Sequence, residues 1–482
     1  MYGLDGVNKP IETTIKFTKD QQAAINGILE FCKTEYNSAA NIIGLTGAGG
    51  TGKTFITNYI IEHCNYSNSA IKCTSSTHKA CRVFSQAIGY KKVDTIQSTF
   101  GLRLDLNLED FNPDRPQFNP KAKPKLENIK FLIIDEASMI PASLIGYINK
   151  KCKELQIKVL YLGDSSQLPP VNEKISTAFK TCFKVFELKE VVRQEANNPI
   201  KPLLDMLRYD IANKTYRFIN YVHSNIGMLN YNENGDGFSI VDKASFKNYI
   251  DISFNDEKYT ENIDLYRIVA YTNNCVNNWN NYIRNSIIKD SEKGILTIHD
   301  LIMSYQTIVN EFNEVILNNS EEYIIKDIVN YVDSKYGFKG FLVKFQMIHG
   351  GQITKPIFII DHTDKFTILK YDKVLGDLLK AGKTASGGTR AKKWTEYFDF
   401  KKKYLLATNI FKNNTLLYSR DIDYGFAITS HKSQGSTYNT VFVDLEDMIY
   451  DKNHNIYSNI DDLHRRLYVA CSRASHNLIL GI

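Results

Sequence analysis

One stretch near the amino terminus, GLTGAGGTGKT from Gly44 to Thr54, decides the fold class. It matches the pattern G-x-x-x-x-G-K-[ST], in which a glycine-rich backbone cradles phosphate groups. Apolar residues before it predict a short buried strand, and the residues from Phe55 onward have helical periodicity. A strand, a glycine loop and a helix start direct backbone N–H groups and the positive end of a helix dipole at one anion. The sequence therefore predicts an α/β fold with a phosphate site, and not a chance glycine-rich turn.

The pattern also gives roles to individual residues of this loop. Lys53 is expected on the β- and γ-phosphates of a nucleotide, and the Thr54 hydroxyl on Mg²⁺. The backbone that would surround the phosphates belongs to Gly47, Gly49, Gly50, Thr51 and Gly52.

Bulk composition sets broad limits. The 482 residues correspond to roughly three domains, and 43% hydrophobic with 23% charged residues is typical of soluble globular proteins. The net charge of +6 permits a polyanionic partner without requiring one. No stretch resembles a membrane span, and the first residues lack the regions of a signal peptide. Eight cysteines without a C-x-x-C pair argue against zinc or disulfide frameworks, so a reducing cytoplasm is the expected location.

A pair of carboxylates is the second strong signal. Residues 131–134 are all apolar and predict a central strand, which Asp135 and Glu136 follow directly. Asp135 is expected to hold Mg²⁺, and Glu136 to orient and deprotonate an attacking water. The next predicted strand, 157–162, is followed by Gln167, whose amide is a candidate sensor of the γ-phosphate.

Further polar residues lie at predicted strand ends or helix starts. Thr77 and His78 follow the predicted strand 71–76, on the rim where open α/β sheets bind ligands, and Thr95 lies in a similar cluster. A capped helix start explains Thr77 and His78 equally well. Gln21 fits a capping box with Thr18, but a glutamine shortly before a phosphate loop could also read an adenine edge, and the sequence leaves both interpretations open.

The order of these signals, continued by Arg193 and two clusters near the carboxyl end, resembles the superfamily 1 helicases. Residues 424–436, YGFAITSHKSQGS, are similar to their motif V, and residues 467–474, LYVACSRA, to their motif VI. The elements DEAS, GDSSQLPP and HKSQG are similar to the RecD-like and phage Dda-like 5′→3′ branch, superfamily 1B. Three positions depart from the common pattern: Ser76 replaces a usual Pro, Gln97 a frequent His, and Ser472 the Thr before the motif VI arginine.

The resemblance implies two RecA-like parallel sheets, with ATP and Mg²⁺ between them and single-stranded DNA across their tops. Arg193 and Arg473 would reach the γ-phosphate from the second sheet, in the manner of an arginine finger. Gln21 would read the adenine, and Gln434 with Gly435 would link nucleotide and DNA. The implied contacts to the DNA backbone are Thr77, His78, Thr95, Thr429 and His431.

The chain is expected to divide into two RecA-like domains, each with an insertion. The predicted boundaries are 1–101 with 130–194 for domain 1A, 102–129 for a pin-type insertion 1B, 195–294 with 412–482 for domain 2A, and 295–411 for insertion 2B. Four prolines between residues 105 and 130 predict an extended or hairpin-like excursion. The family places there the pin that splits the duplex, so Phe111 or Phe118 would be the residue on which the base pair stacks.

Insertion 2B is predicted to be β-rich and SH3-like, with strands at 341–349, 357–360 and 366–369. A basic and aromatic segment follows at 373–404, with eight basic residues between 380 and 403 against Glu396 and Asp399. Its aromatic residues suit either base stacking at a nucleic-acid rim or a helix whose aromatic side packs on its neighbour. The resemblance implies a tower that braces the pin, with these aromatics as docking residues.

The resulting hypothesis is an ATP- and Mg²⁺-dependent DNA helicase that translocates 5′→3′ and unwinds duplexes by alternating closure of its two sheets. Expected partners are single-stranded and forked duplex DNA, with replication or recombination proteins; no membrane association and a monomer are expected. One alternative is an ATP-gated ATPase that remodels nucleic-acid complexes without processive unwinding, and another is an RNA-directed helicase. A nucleotide kinase or GTPase is disfavoured because no N-K-x-D motif follows the phosphate loop.

Overall fold

The structure is a computed structural model of the chain. It describes residues 16–89, 93–104, 118–120, 123–170, 173, 176–190, 198–288, 291–310, 314–348, 351–386, 388–412 and 415–482. Across these ranges, no helix has both the length and the apolar character that crossing a membrane requires.

Helices and strands alternate in the first part of the chain. In order they are α1 (Lys19–Lys33), β1 (Ile42–Gly47), α2 (Lys53–His63), β2 (Ile71–Ser75), α3 (His78–Ile88), β3 (Val93–Thr95), α4 (Ile96–Phe100), β4 (Leu102–Leu104), β5 (Phe118–Pro120), β6 (Phe131–Ile134), α5 (Ala142–Glu154), β7 (Lys158–Gly163) and β8 (Lys184–Leu188). Six of these strands form a parallel sheet in the order β3-β2-β6-β7-β1-β8.

Helices cover both faces of this first sheet. Apolar residues of α1, α2 and α3 belong to one buried cluster, and those of α4 and α5 to another. Burial on both faces explains why β1, β6 and β7 read as continuous apolar runs and not as alternating patterns. Since all six strands are parallel, their carboxyl ends lie at one edge, where the predicted site residues also lie.

The excursion after α4 begins and ends as a two-stranded ladder. β4 pairs antiparallel with β5, with Leu102 opposite Pro120 and Leu104 opposite Phe118. The extended, hairpin-like path predicted from the prolines is confirmed for these strands. Phe111 lies outside the described residues, and only the backbone of Phe118 is described.

The next part of the chain is mainly helical and contains the first strands of a second sheet. Its elements are α6 (Ile200–Asn213), α7 (Arg217–Ser224), β9 (Leu229–Tyr231), β10 (Gly237–Val241), α8 (Lys243–Phe254), α9 (Glu257–Glu261), β11 (Tyr266–Ala270) and α10 (Asn273–Ser286).

A β-rich insertion follows. It contains β12 (Leu301–Ser304), β13 (Ile308–Val309), β14 (Val315–Leu317), β15 (Glu322–Val332), β16 (Lys339–Met347), β17 (Ile357–Ile360), α11 (Lys365–Thr384), α12 (Gly388–Lys403), β18 (Ile410–Lys412), β19 (Thr415–Tyr418) and β20 (Ile422–Tyr424). Five of these strands form an antiparallel sheet in the order β17-β16-β15-β12-β20. The sequence placed the end of insertion 2B at 411, but β20 completes this sheet, so the sheet extends to Tyr424.

The strand predicted at 366–369 is wrong, because these residues lie in α11. The Asp364 side chain caps this helix by accepting a hydrogen bond from the Thr367 N–H at 2.9 Å. The helix buries Thr367 and Tyr371 and leaves Phe366 66% exposed. A stretch as short as Phe-Thr-Ile-Leu does not distinguish a strand from one turn of helix.

The last part of the chain returns to the second sheet. It comprises β21 (Ala427–Thr429), α13 (Ser430–Ser433), β22 (Tyr438–Asp444), α14 (Leu445–Ile449), α15 (Ile460–Cys471) and β23 (Ala474–Gly481). The sheet order is β21-β11-β22-β23-β10-β9, parallel except for the edge strand β9. The chain is therefore a mixed α/β protein with two largely parallel six-stranded sheets.

Candidate functional site

The phosphate loop connects β1 to α2 through backbone conformations that favour glycine. Gly50 and Gly52 have φ values of 80° and 87°, and Gly52 is the residue that caps α2. A Cβ on Gly47 would lie 2.7 Å from the Thr51 Oγ1 and 2.8 Å from the Leu188 carbonyl oxygen, so only glycine fits there. The loop is thus held in one shape in front of the α2 amino terminus, where the helix dipole favours an anion.

Lys53 and Gln21 both contact the backbone of this loop. The Lys53 Nζ donates to the carbonyl oxygens of Gly47 at 2.6 Å and Ala48 at 2.9 Å. The buried Gln21 side chain donates to the Thr51 carbonyl at 3.0 Å, while its Oε1 accepts from the Thr18 N–H at 3.0 Å. The capping box at Thr18 is therefore confirmed, and the same amide braces the phosphate loop. Adenine recognition by Gln21 stays a prediction.

Asp135 and Glu136 lie where β6 ends. Glu136 has a φ of 52°, a left-handed conformation that costs a non-glycine residue on the order of 1–3 kcal/mol and is typical of functional sites. Its Oε2 is buried and has no hydrogen-bond partner within the described part of the chain. Loss of hydration raises the pKa of both carboxyl groups. The positive charge of Lys53 partly offsets this rise for both groups, and the positive charge of Arg473 partly offsets it for Glu136.

Arg473 brings a positive charge to Glu136 from the second sheet. It follows α15 and is 7% exposed. Its guanidinium donates to the carbonyl oxygens of Val469 and Ser436, both at 3.1 Å, and to the Ser472 hydroxyl at 2.8 Å. These bonds fix the guanidinium on the second sheet, while its charge counters the raised pKa of Glu136 on the first.

The loop after β7 contacts residues of the second sheet unit at this edge. The Gln434 amide donates to the Leu168 carbonyl at 3.2 Å. The Tyr468 hydroxyl donates to the Asp164 carboxylate at 2.8 Å, and both residues are buried. Arg465 also donates hydrogen bonds to the backbone of this loop. The loop that contains Gln167 is therefore held by residues from both similarity segments near the carboxyl end.

Neither Arg465 nor Tyr468 is among the site residues predicted from the sequence, although Tyr468 lies in the segment 467–474 that resembles motif VI. The Arg465 guanidinium donates to the backbone carbonyls of Ser165 at 2.5 Å and Gln167 at 3.0 Å. The Oε1 of Gln167 is buried and lacks a hydrogen-bond partner among the residues described. The available signal was the position of Arg465 and Tyr468 on the helix that directly precedes Arg473, three residues apart and thus on one face.

Three of the predicted nucleic-acid residues cap helices at the carboxyl ends of strands. Thr77, Thr95 and Thr429 each accept a hydrogen bond from the backbone N–H three residues later, at 3.1, 3.2 and 3.3 Å. The capped helix start considered for Thr77 is thus present. It leaves the predicted role open, because a hydroxyl that accepts one hydrogen bond retains its O–H as a donor. His78 is exposed and His431 half-buried.

Arg193 lies outside the described residues. Gly435 lies against α3: a Cβ there would be 3.4 Å from the Ala80 Cβ, and its φ is 72°. The segment around Gln434 and Gly435 therefore contacts the first sheet at two places, the loop after β7 and α3.

The aromatic residues of segment 373–404 pack between elements of the insertion. Trp394, Phe400 and Tyr404 are 7%, 5% and 2% exposed. A Cβ on Gly382 of α11 would lie 2.8 Å from the Trp394 indole, so α11 and α12 approach closely there. Phe400 and Tyr404 belong to an apolar cluster with Tyr371. Of the two interpretations, helix packing accounts for these three side chains, because buried rings cannot stack on bases.

Two parts of the chain match known protein families. Residues 16–223 match a family described as an AAA domain, and residues 424–480 match the UvrD-like helicase C-terminal domain. An uncharacterized protein, R530, of Acanthamoeba polyphaga mimivirus is 24% identical over 96% of this chain and 99% of its own length. The ATP-dependent DNA helicase dda of Enterobacteria phage T4 is 23% identical over 96% of this chain and 98% of its own.

The ATP-dependent DNA helicase Pif1 of Campylobacter jejuni is 32% identical over 32% of this chain and 35% of its own length. Among solved structures, Pif1 helicase from Bacteroides in complex with ADP-AlF3 and ssDNA overlaps 96% of this chain and 92% of its own, with 15% identity and a TM-score of 0.49. That overlap is loose, and the resemblance rests on the sequence matches. These matches support a similarity to the superfamily 1B helicases of the Pif1/Dda-like group.

Proposed function

We propose that this protein is an ATP-dependent DNA helicase that moves 5′→3′ along single-stranded DNA and opens forked duplexes. The observation that carries the proposal is the meeting of the two sheets at their carboxyl ends. There α15 brings Arg473 to Glu136 and Tyr468 to Asp164. Full-length similarity to a protein named as an ATP-dependent DNA helicase supports the same activity.

The residues at the first sheet fit ATP with Mg²⁺. The loop from Gly47 to Thr54 and the Lys53 ammonium would hold the phosphates, and Thr54 with Asp135 would hold Mg²⁺. Two buried acceptors without a partner among the described residues, Glu136 Oε2 and Gln167 Oε1, suit a water nucleophile and its surroundings. Mg²⁺ would neutralise charge that develops on the phosphate oxygens during hydrolysis. Glu136 would accept the proton of the attacking water, a role that its raised pKa favours.

Arg473, and Arg193 with it, would make hydrolysis depend on closure of the two sheets. The Arg473 guanidinium is fixed by backbone carbonyls of the second sheet unit, so it approaches the phosphate loop only when the units are together. Gln434, Arg465 and Tyr468 contact the Gln167 loop across the same gap. Alternating closure and opening would then couple hydrolysis to movement along the strand.

Single-stranded DNA would lie across the carboxyl ends of both sheets. Thr77, Thr95 and Thr429 offer hydroxyl donors to phosphates, with His78 and His431 next to two of them in the chain. The excursion between β4 and β5 would act as the pin, with Phe111 or Phe118 at the duplex junction. The 5′→3′ direction is proposed from the resemblance to superfamily 1B alone.

Tailed duplexes test the activity and its direction together. A fluorescently labelled duplex with a 5′ single-stranded tail, one with a 3′ tail and a blunt duplex are each mixed with protein, ATP and Mg²⁺. We expect strand separation of the 5′-tailed substrate only, with ATP hydrolysis accelerated by single-stranded DNA. Lys53→Ala is the matched inactive control, and it should abolish both activities.

Each alternative gives a different result. Equal opening of 5′- and 3′-tailed substrates contradicts the direction. DNA-stimulated hydrolysis with every duplex left intact indicates a remodelling ATPase, and a preference for tailed RNA indicates an RNA-directed helicase.

A further inference from the structure

A cluster of buried charges joins helix α3 of the first sheet to the β-rich insertion and the second sheet. The Lys79 Nζ lies 2.7 Å from the Glu322 carboxylate at the start of β15. The same carboxylate lies 3.2 Å from the Arg267 guanidinium of β11 and accepts a hydrogen bond from the Tyr438 hydroxyl of β22 at 3.2 Å. One side chain, Glu322, therefore links three parts of the fold.

A second ion pair lies on the next turn of the same helix. The Arg82 guanidinium donates to both oxygens of Glu321, at 3.1 and 2.9 Å, and lies 3.6 Å from the Met347 sulfur of β16. The Glu321 side chain is 3% exposed and that of Arg82 is 21% exposed. We call the four residues Lys79, Arg82, Glu321 and Glu322 the α3 clasp.

Two residues of the α3 clasp lie on the helix that begins with two predicted nucleic-acid contacts. Thr77 caps α3 and His78 is its first residue, so Lys79 is one position further along the helix. Gly435 packs against Ala80 on the same helix. Lys79 and Arg82 thus join the amino-terminal half of α3 to the β-rich insertion.

A basic helix at such a site suggests direct phosphate binding, but the geometry of Lys79 and Arg82 argues against it. Both cations face carboxylates at hydrogen-bonding distance, and the Lys79 side chain is only 10% exposed. A phosphate would have to displace a buried carboxylate whose removal leaves Arg267 without its close counter-charge, which is costly.

We propose that Glu321 and Glu322 are positioning residues for DNA binding: they hold α3 through Arg82 and Lys79, so that Thr77 and His78 face the strand. In the arrangement of the two sheets that the structure shows, the clasp also joins this helix to the second sheet through the β-rich insertion. The inference rests on the proposed function, since it assigns the clasp to the nucleic-acid contacts of a helicase.

A double-mutant cycle tests the proposal on the more exposed pair. Glu321→Gln removes the charge and keeps the side-chain shape, Arg82→Gln replaces the guanidinium with a shorter neutral amide, and the double variant combines both. The full chain is used throughout. The readouts are the affinity for a labelled single-stranded oligonucleotide by fluorescence anisotropy, its dependence on salt, and ATP hydrolysis with and without DNA.

We expect each single substitution to weaken DNA affinity about tenfold, and the double substitution to weaken it by about the same factor, since contacting residues are not additive. The rate at saturating DNA should stay within about twofold of wild type. The slope of affinity against salt should be unchanged, because no phosphate contact is lost. Reversing the pair, Arg82→Glu with Glu321→Arg, should recover most of the affinity that either reversal alone removes.

An exposed pair in the same insertion is the matched control. Lys344 and Asp327 lie 2.8 Å apart with side chains 40% and 47% exposed. Lys344→Gln and Asp327→Asn should leave DNA affinity unchanged. The melting temperature of each variant shows whether it folds. The charge-neutral variants and the charge-reversed variants form two separate double-mutant cycles, so the proposal can still be tested if one variant does not fold.

The opposite results would overturn the proposal. If Arg82 binds phosphate directly, Glu321→Gln should tighten DNA binding and Arg82→Gln should lower the salt slope by about one. Additive effects of the two single substitutions would also refute the clasp. If the wild-type protein neither binds DNA nor hydrolyses ATP faster in its presence, the proposed function is refuted, and the positioning role with it. If the wild type binds DNA and only the variants behave differently from expectation, the clasp alone is refuted.

Discussion

Replacing Glu322 with glutamine removes one negative charge from between Lys79 and Arg267 and keeps the shape of the side chain. The Glu322 side chain is 3% exposed, with the Lys79 Nζ at 2.7 Å and the Arg267 guanidinium at 3.2 Å. In the variant both cations remain buried without this counter-charge. Breaking a buried ion pair in this way typically costs about 3–5 kcal/mol.

The pKa of Glu322 allows this loss of folding stability to be worked out in a second way. Burial raises this pKa, but attraction to Arg267 and Lys79 outweighs burial and lowers it from 4.5 to about 2. At about 1.4 kcal/mol per pH unit, the difference corresponds to about 3 kcal/mol of folding stability. Because the pKa is lowered in the folded state, this stability is fully present above about pH 4.5 and is lost as the pH falls toward 2.

The assay is thermal unfolding of wild type and Glu322→Gln at pH 8 and pH 5.5. Since a protein of several domains does not unfold in two states, the first transition is compared. For an unfolding unit of 150–250 residues, a loss of about 3 kcal/mol lowers its midpoint by roughly 6–12 °C. The gap should be equal at both pH values, because both lie above the range in which Glu322 titrates.

Asp327→Asn, which breaks an exposed pair in the same insertion, is the control and should shift the midpoint by less than about 2 °C. A shift that small in Glu322→Gln would refute the reasoning. The reasoning would also be refuted if the difference in midpoint between wild type and Glu322→Gln disappeared between pH 8 and pH 5.5.

Three further substitutions test other parts of the structure. Glu136→Gln should slow ATP hydrolysis at least ~100-fold while a fluorescent nucleotide still binds, and near-wild-type hydrolysis would exclude Glu136 as the base. Tyr468→Phe removes the hydrogen bond to the Asp164 carboxylate, worth about 1.5–3 kcal/mol; it should lower DNA-stimulated hydrolysis about tenfold without changing hydrolysis in the absence of DNA, and an equal loss in both would indicate a defect in the nucleotide site itself. Trp394→Ala should destabilise the insertion by about 3 kcal/mol in thermal unfolding and leave DNA affinity unchanged, whereas lost affinity with intact stability would favour base stacking.

Local patterns allowed much of the first sheet to be predicted. The phosphate loop, the strand before Asp135 and the capping box at Thr18 all form as expected, because each depends on residues within one or two turns of chain. The stretch at 366–369 shows the limit of such patterns, because it is too short to have a clear period. It lies in the first turn of a helix that Asp364 caps.

The boundary of the insertion could not be read in the same way. β20 pairs with β12 from 120 residues earlier in the chain, since Tyr424 lies opposite Ile302 and Ile422 opposite Ser304. Pairing between strands that are so far apart in the chain is set by packing of the assembled sheet, and the sequence of either strand does not identify its partner.

The sequence by itself determined the α/β class, the phosphate loop and the carboxylates at the end of β6, because backbone geometry and side-chain periodicity act over short distances. Tertiary structure alone decided how the two sheets meet. Tyr468 and Asp164 are separated by 304 residues, and Lys79 and Glu322 by 243. Such pairs exist because burial excludes water and leaves each charge or hydroxyl dependent on a particular partner, and no local pattern in the sequence identifies that partner.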